Sequence, residues 1–428
     1  MMTKKPIINP KEELPLALQS AAETEQHLLC TYLYAAASLK KNPDQFCNDG
    51  QLTTVKRWHQ QLHRLALRRG QNVALLNALL LALEAPPRFC QPPSEVIVCA
   101  PFSLPQAQRM VCLEAPNLAD LPAGMQDLLQ QWSNAKEESL SSITLRQLYQ
   151  NIKDGFARLP SAFCFSPKVQ QADLLSRSGL YLPAIKEVSA ALHILEIIAP
   201  TDDAVRPINA QRPFLQLFDI AMEYQMLTHA TSGCTRFVPH HTTTFQRDQL
   251  QTPYTLRLFD LFNYTYITQL YMLTGLYGWY RLPAEYPHLS AALREIAFDP
   301  ISQLLVQAFP KILQVLPVDC HTSRIPGPNF QIAPKEEKRL IINACTAPNW
   351  ARADRYKFYQ NIEFYVQRLD RIIGEVQQLS EQHPQQLASN QQRFVRCQLQ
   401  LIQQDVFKMA DDLRRVYQTG VGSRMRMV

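Results

Sequence analysis

The chain has 428 residues, enough to bury a large core and to divide into more than one domain. Hydrophobic residues make up 46% and charged residues 19%, which excludes a disordered chain, and a net charge of +6 spread along the sequence offers no basic face for nucleic acid. Twelve glycines against 30 prolines favour helices joined by proline-bearing loops over turn-rich sheets, so an all-α fold is expected.

Residues 14–39 carry leucine and alanine at helical spacing and read as one helix, ended by Asn42 and Pro43. A second helix runs from about Leu52 to Leu83, stopped by Pro86 and Pro87. The short link between them makes the two antiparallel neighbours. Residues 84–140 are punctuated by proline and read as a long, mostly irregular excursion. Helix resumes over Thr144–Leu159, with Leu145, Leu148, Ile152 and Phe156 as its periodic stripe. A third long helix is expected over Ile185–Ile198 and a fourth over Arg212–His229. Four long helices with one long crossover have the connectivity of a ferritin-like four-helix bundle. Further helices are expected over Leu256–Leu276, 289–316, 335–347, Arg355–Glu381 and 390–418. Loop composition near 235–252 divides the chain into a bundle, 1–250, and a C-terminal helical extension, 251–428.

Ten irregularly spaced cysteines without a C-x-x-C pair argue against a metal or disulfide framework and for a reducing compartment. Cys30 and Cys112 read as buried thiols. No apolar run precedes the first helix, so no signal peptide is expected. The longest apolar stretch, Val73–Leu83, is too short to span a bilayer. A soluble cytoplasmic protein with no membrane and no nucleic-acid partner is the expectation. Arg424 and Arg426 read as a solvated terminus.

The stretch AAETEQHLLCTYLYAAASLK (21–40) resembles the first helix of the ferritin-like family that includes iminophenylpyruvate dimer synthases, enzymes of violacein- and rebeccamycin-type bisindole biosynthesis. RWHQQLHRLALRRGQNVALLNALLLALEAPPRF (57–89) is similar to that family's second helix and following turn. Collinear similarities continue through LEAP (113–116), TLRQLYQNI (144–152), VSAALHILEII (188–198), LFNYTYITQLYML (261–273) and GPNF (327–330). The resemblance implies a di-iron type of bundle, with one Glu from each of two helices and a Glu-x-x-His pair from each of the others.

Transferred position by position, that ligand set is mostly lost. Glu25 matches the first-helix ligand. The second-helix pair falls on Arg69 and Asn72, or on Arg68 and Gln71 if the register shifts by one. The third-helix glutamate falls near Ala199, with Glu196 one turn earlier as the substitute. The fourth-helix histidine is absent, and Phe214 is the nearest match. Two carboxylates are too few to hold a dimetal centre, and Arg69 adds a competing cation. The expected replacement is a buried Glu25–Arg69 pair in a bidentate fork.

The remaining candidates have simpler readings. His59 and His63 are spaced i, i+4 with no Glu between them, and read as exposed or capping histidines. His27 points away from Glu25, and His240 and His241 read as surface loop residues, not metal or haem ligands. The aromatic run Tyr264, Tyr266, Tyr271, Tyr277, Trp279 and Tyr280 reads as core packing in preference to a ligand pocket. No phosphate loop or nucleophile elbow occurs. The first reading is a pseudoenzyme, a structural or regulatory partner of a natural-product biosynthetic enzyme that binds that protein or a second copy of itself and carries no cofactor. Two alternatives stand beside it: a metal-independent or haem-dependent enzyme that couples imines of aromatic amino acids, and a small-molecule binding protein using the old bundle cavity.

Overall fold

The computed structural model describes residues 13–40, 48–89, 145–160, 163, 165, 174–175, 181–182, 185–198, 220, 223–224, 243–244, 250–278, 287–316, 325–327, 330, 354–382 and 387–425. Most of the expected fourth helix, the 335–347 segment and nearly all of the 84–140 excursion lie outside these residues. Within them the chain is almost wholly helical, as composition required. The helices are α1 (Glu13–Ser38), α2 (Asp49–Ala82), α3 (Leu145–Ala157), α4 (Val188–Ile198), α5 (Pro253–Gly278) and α6 (Pro287–Phe298). They continue with α7 (Pro300–Gln303), a π-turn (Leu304–Ala308), α8 (Phe309–Leu313), α9 (Asp354–Glu381) and α10 (Ser389–Met425). Besides an isolated bridge at Leu39, the described residues form two β ladders of two residues each. One pairs Leu174–Leu175 with Tyr181–Leu182 antiparallel, and the other pairs Thr243–Thr244 with Ile325–Pro326 in parallel. No described helix is long and apolar enough to cross a membrane.

The helices fall into two compact units, the first holding α1, α2 as far as Leu79, α3 and α4, and the second holding α5 to α10. Local chemistry sets the ends of α2. The Asn48 side chain accepts the Gln51 N–H at 2.9 Å, capping its first turn. At the other end Glu84 turns into the left-handed region (φ 59°), with Ala85 N–H bonded to Leu80 C=O and Glu84 N–H to Leu81 C=O, both at 2.9 Å. That is a Schellman closure, and Pro86 and Pro87 follow it, unable to continue the helix.

In the first unit the apolar seams keep alternating three- and four-residue steps, the pattern by which helices pack at shallow crossing angles. The α1 seam is Leu14, Leu18, Ala21, Glu25, Leu28, Tyr32 and Ala35, every one at most 1% exposed. The α2 seam is Val55, Trp58, Leu62, Leu65, Arg69, Asn72, Leu76 and Leu79. In α3, Tyr149, Ile152 and Phe156 are buried while Leu148 is only half-buried, which shifts part of the expected stripe by one residue. Polar residues therefore stand within three apolar seams.

The second unit is built on the α9–α10 hairpin. Its seams are Ile362, Tyr365, Leu369, Ile372, Val376 and Leu379 against Val395, Leu399, Ile402, Val406, Met409 and Leu413. The Arg257 side chain on α5 bonds Glu375 at 2.7 Å and Gln378 at 2.8 Å on α9. The buried Arg368 guanidinium donates to Thr268 Oγ1 at 2.9 Å and lies 4.1 Å from the centroid of Tyr264 and 4.9 Å from that of Tyr271. Tyr266 and Tyr271 are buried, so this part of the aromatic run packs the core. Phe330, at φ 50°, is held edge-on to Phe262 at 5.3 Å and Tyr266 at 5.2 Å, and those aromatic contacts offset its backbone strain. The π-turn has a local cause: Pro310 has no N–H and its ring crowds the preceding turn, so the helix widens and Phe309 N–H reaches Leu304 C=O.

Two outcomes follow for stability. Gly374, inside α9, has open space where a Cβ would stand, whereas a Cβ on the buried Gly155 would meet Leu14 Cδ1 at 3.0 Å. In thermal unfolding, Gly374→Ala is expected to stabilise by about 0.5–1 kcal/mol through helix propensity, and Gly155→Ala to gain less or to destabilise. Burial pushes the Tyr254 phenol up to about 12, with Arg257 and Arg396 opposing the shift. Its ordinary value is about 10, so the folded state holds that proton more tightly. Stability is then intact below about pH 10 and is lost as pH rises from there through about 12; Tyr254→Phe should flatten that alkaline decline.

Candidate polar site in the core of the first unit

Several neutral polar groups in α1 and α2 are satisfied by their own helix. Thr31 Oγ1 donates to His27 C=O at 2.8 Å, Asn77 Nδ2 to Val73 C=O at 2.9 Å, and Ser38 Oγ to Ala35 C=O at 2.8 Å. A carboxylate cannot do this, because it only accepts and the helix interior presents carbonyls. Glu25 is 0% exposed at mid-seam, so its donors must come from other helices.

They come from α2 and α3. Arg69 Nη1 donates to Oε1 at 3.0 Å and to Oε2 at 3.1 Å, and Asn72 Nδ2 donates to Oε1 at 3.1 Å. Tyr149 supplies its phenol to Oε1 at 2.5 Å. Arg69 and Asn72 lie three residues apart on one helical face, which is why both reach the same carboxylate. Three of the four contacts fall on Oε1 and one on Oε2, so the donors crowd one carboxylate oxygen and leave the other with a single partner. Arg69 is 8% exposed and Asn72 3%, so the contacts form in a largely dehydrated setting where charge-assisted bonds are strong.

This geometry sorts the expected residues. The Arg69/Asn72 register faces inward, while Arg68 and Gln71 are only partly buried. The expected ion pair is present, but a single guanidinium nitrogen bridges both carboxylate oxygens where two nitrogens side by side were expected. Glu196 is exposed on α4 and bonds Lys153 at 3.3 Å, so its carboxylate faces outward. It cannot stand in for a third-helix ligand in a buried centre. Phe214, Ala199, His240 and His241 lie outside the described residues. Tyr149 was missed because it reads as one more aromatic in the α3 stripe; the signal was its phenol at a seam position, which needs a buried acceptor. Glu223 was also missed. Its Oε2 accepts from the buried Trp58 Nε1 at 2.6 Å and from Arg57 Nη2 at 2.5 Å.

Elsewhere on α2, His59 and His63 are both partly buried, with their Nε2 atoms 3.1 Å apart. Among the described residues no group of three or more His, Cys, Asp or Glu side chains converges as a metal site. In the second unit a cleft of about 680 Å³ is bordered by Glu295, Asp299, Asp405, Lys408, Asp412 and Arg415, charges of both signs. Compared with protein-family models, with curated proteins and with solved structures, the chain gives no significant match.

The cluster should respond to truncation in a graded way. Arg69→Met strands a buried carboxylate and is expected to cost about 3–5 kcal/mol in denaturant unfolding. Tyr149→Phe removes one of four contacts and should cost about 1.5–3 kcal/mol. The double variant Glu25→Leu/Arg69→Met removes both charges and should recover much of the Arg69→Met loss.

Proposed function

We propose that this protein is a non-catalytic member of the ferritin-like class, a pseudoenzyme in which the Glu25–Arg69 pair occupies the place of a dimetal centre, and that it acts as a structural or regulatory partner of a biosynthetic enzyme. The observation that carries this reading is the set of donors gathered on Glu25. Its carboxylate meets Arg69, Asn72 and Tyr149 through four contacts, one of them to a permanent cation. A divalent ion at the same oxygens would have to displace these donors and sit against a guanidinium. Arg69 and Asn72 hold the i, i+3 positions at which the resembling family carries Glu-x-x-His, and their side chains reach the expected first-helix ligand. The three-four seams of α1 and α2 are compatible with bundle packing.

A core filled by its own ion pair supports rigidity and recognition in preference to turnover. What such a chain offers a partner is helical surface held in fixed shape. The charged cluster keeps α1, α2 and α3 in one register, because a slip of any one helix would strand the carboxylate.

Two measurements test the proposal. The chain, mixed in turn with the proteins encoded by its neighbouring genes, is expected to co-elute with one of them in size exclusion as a metal-free complex. Iron or manganese near one equivalent that is lost in Glu25→Ala, or turnover of an aromatic amino-acid imine by the chain alone, would contradict it. Arg69→Glu/Asn72→His restores a Glu-x-x-His pair beside Glu25, and elemental analysis should then find iron or manganese that wild type lacks.

A further inference from the structure

His59 and His63 lie on one face of α2, one turn apart, with rings 4.3 Å between centroids and tilted 58° to each other. Their Nε2 atoms approach to 3.1 Å. The facing atoms are the ring nitrogens that bind metal, not carbon edges. As a hydrogen bond this requires one tautomer to donate and the other to accept.

The same separation suits a shared cation. Zinc–imidazole bonds are about 2.0–2.1 Å, so two nitrogens 3.1 Å apart subtend an angle of about 95–102° at a common ion. That lies between the right angle of tetragonal copper and the tetrahedral angle of zinc. Both residues are partly exposed, and an ion held between them would take water in its remaining positions. They are held on a continuous helix, Asp49–Ala82, which fixes their backbone spacing one turn apart, so an ion has only to order the side-chain torsions of two rings. The pair is separate from the buried cluster: His63 precedes Arg69 by six residues, about 9 Å along the helix.

We propose that His59 and His63 form a two-imidazole chelate for a late divalent transition-metal ion, with Cu²⁺ bound more tightly than Zn²⁺ and with water completing its coordination. The order follows the general preference of nitrogen ligands among these ions. This site depends neither on the ferritin-like reading nor on the state of Glu25.

The full chain, stripped with EDTA and dialysed, is titrated with Zn²⁺ and with Cu²⁺ against a chromophoric competitor. Wild type, His59→Gln, His63→Gln and the double variant are compared, with circular dichroism confirming that each is folded. The double variant sets the background from the other eight histidines and ten cysteines. One site above that background is expected in wild type, weakened roughly tenfold or more by either single substitution, with copper tighter than zinc. Electron paramagnetic resonance of the one-equivalent Cu²⁺ complex should show coupling to two nitrogens, reduced to one in His63→Gln. Equal affinities in wild type and the double variant, or an unchanged copper spectrum in both single variants, would overturn the assignment. If one variant fails to fold, the spectrum of the other still decides the question.

Discussion

A carboxylate in the middle of an apolar seam is the constraint around which the first unit is organised. Glu25 cannot be satisfied by its own helix and has no water to turn to, so three side chains from two other helices must converge on it. Coulomb attraction to Arg69 offsets part of the desolvation, and the neutral donors Asn72 and Tyr149 complete the shell. Net stabilisation from such a cluster is small. Its larger effect is on specificity, because only one register of α1, α2 and α3 leaves no charge stranded.

The second unit meets the problem of a buried charge differently. Arg368 is 6% exposed, and Tyr264, Tyr271 and Phe364 lie around its guanidinium, with Thr268 Oγ1 and Tyr264 C=O as acceptors. A delocalised, weakly hydrated cation tolerates aromatic faces, whereas a carboxylate, with its concentrated charge, needs direct donors. Both charges draw on groups beyond their own helix, Glu25 for N–H and O–H donors and Arg368 for the hydroxyl, carbonyl and ring faces of α5, and the chemistry of each charge sets which groups serve.

Much of this was legible in the sequence. α1 and α2 begin and end within a few residues of expectation, and α2 closes just ahead of Pro86 and Pro87, which cannot continue it. Glu25, Arg69 and Asn72 fall on seam positions that can be counted from Leu14 and Val55, so their meeting could be anticipated. The bridging of both oxygens by one nitrogen could not, since it depends on side-chain torsions and on the room that Tyr149 takes. Glu196 shows the reverse case: spacing alone allowed it inward, but α4 turns Ala191, Ile194, Leu195 and Ile198 to the core and leaves Glu196 to Lys153. The convergence of His59 and His63 was equally hidden, because i, i+4 spacing sets a common face without fixing which ring atoms point together.

The most direct test of the central claim is a crystal structure of the full chain with anomalous data collected at the iron and manganese edges. No anomalous peak is expected at Glu25, and the density should place the Arg69 guanidinium about 3.0 Å from its carboxylate with the Tyr149 phenol on the same oxygen. A metal peak bonded to Glu25, with Arg69 turned away, would contradict it.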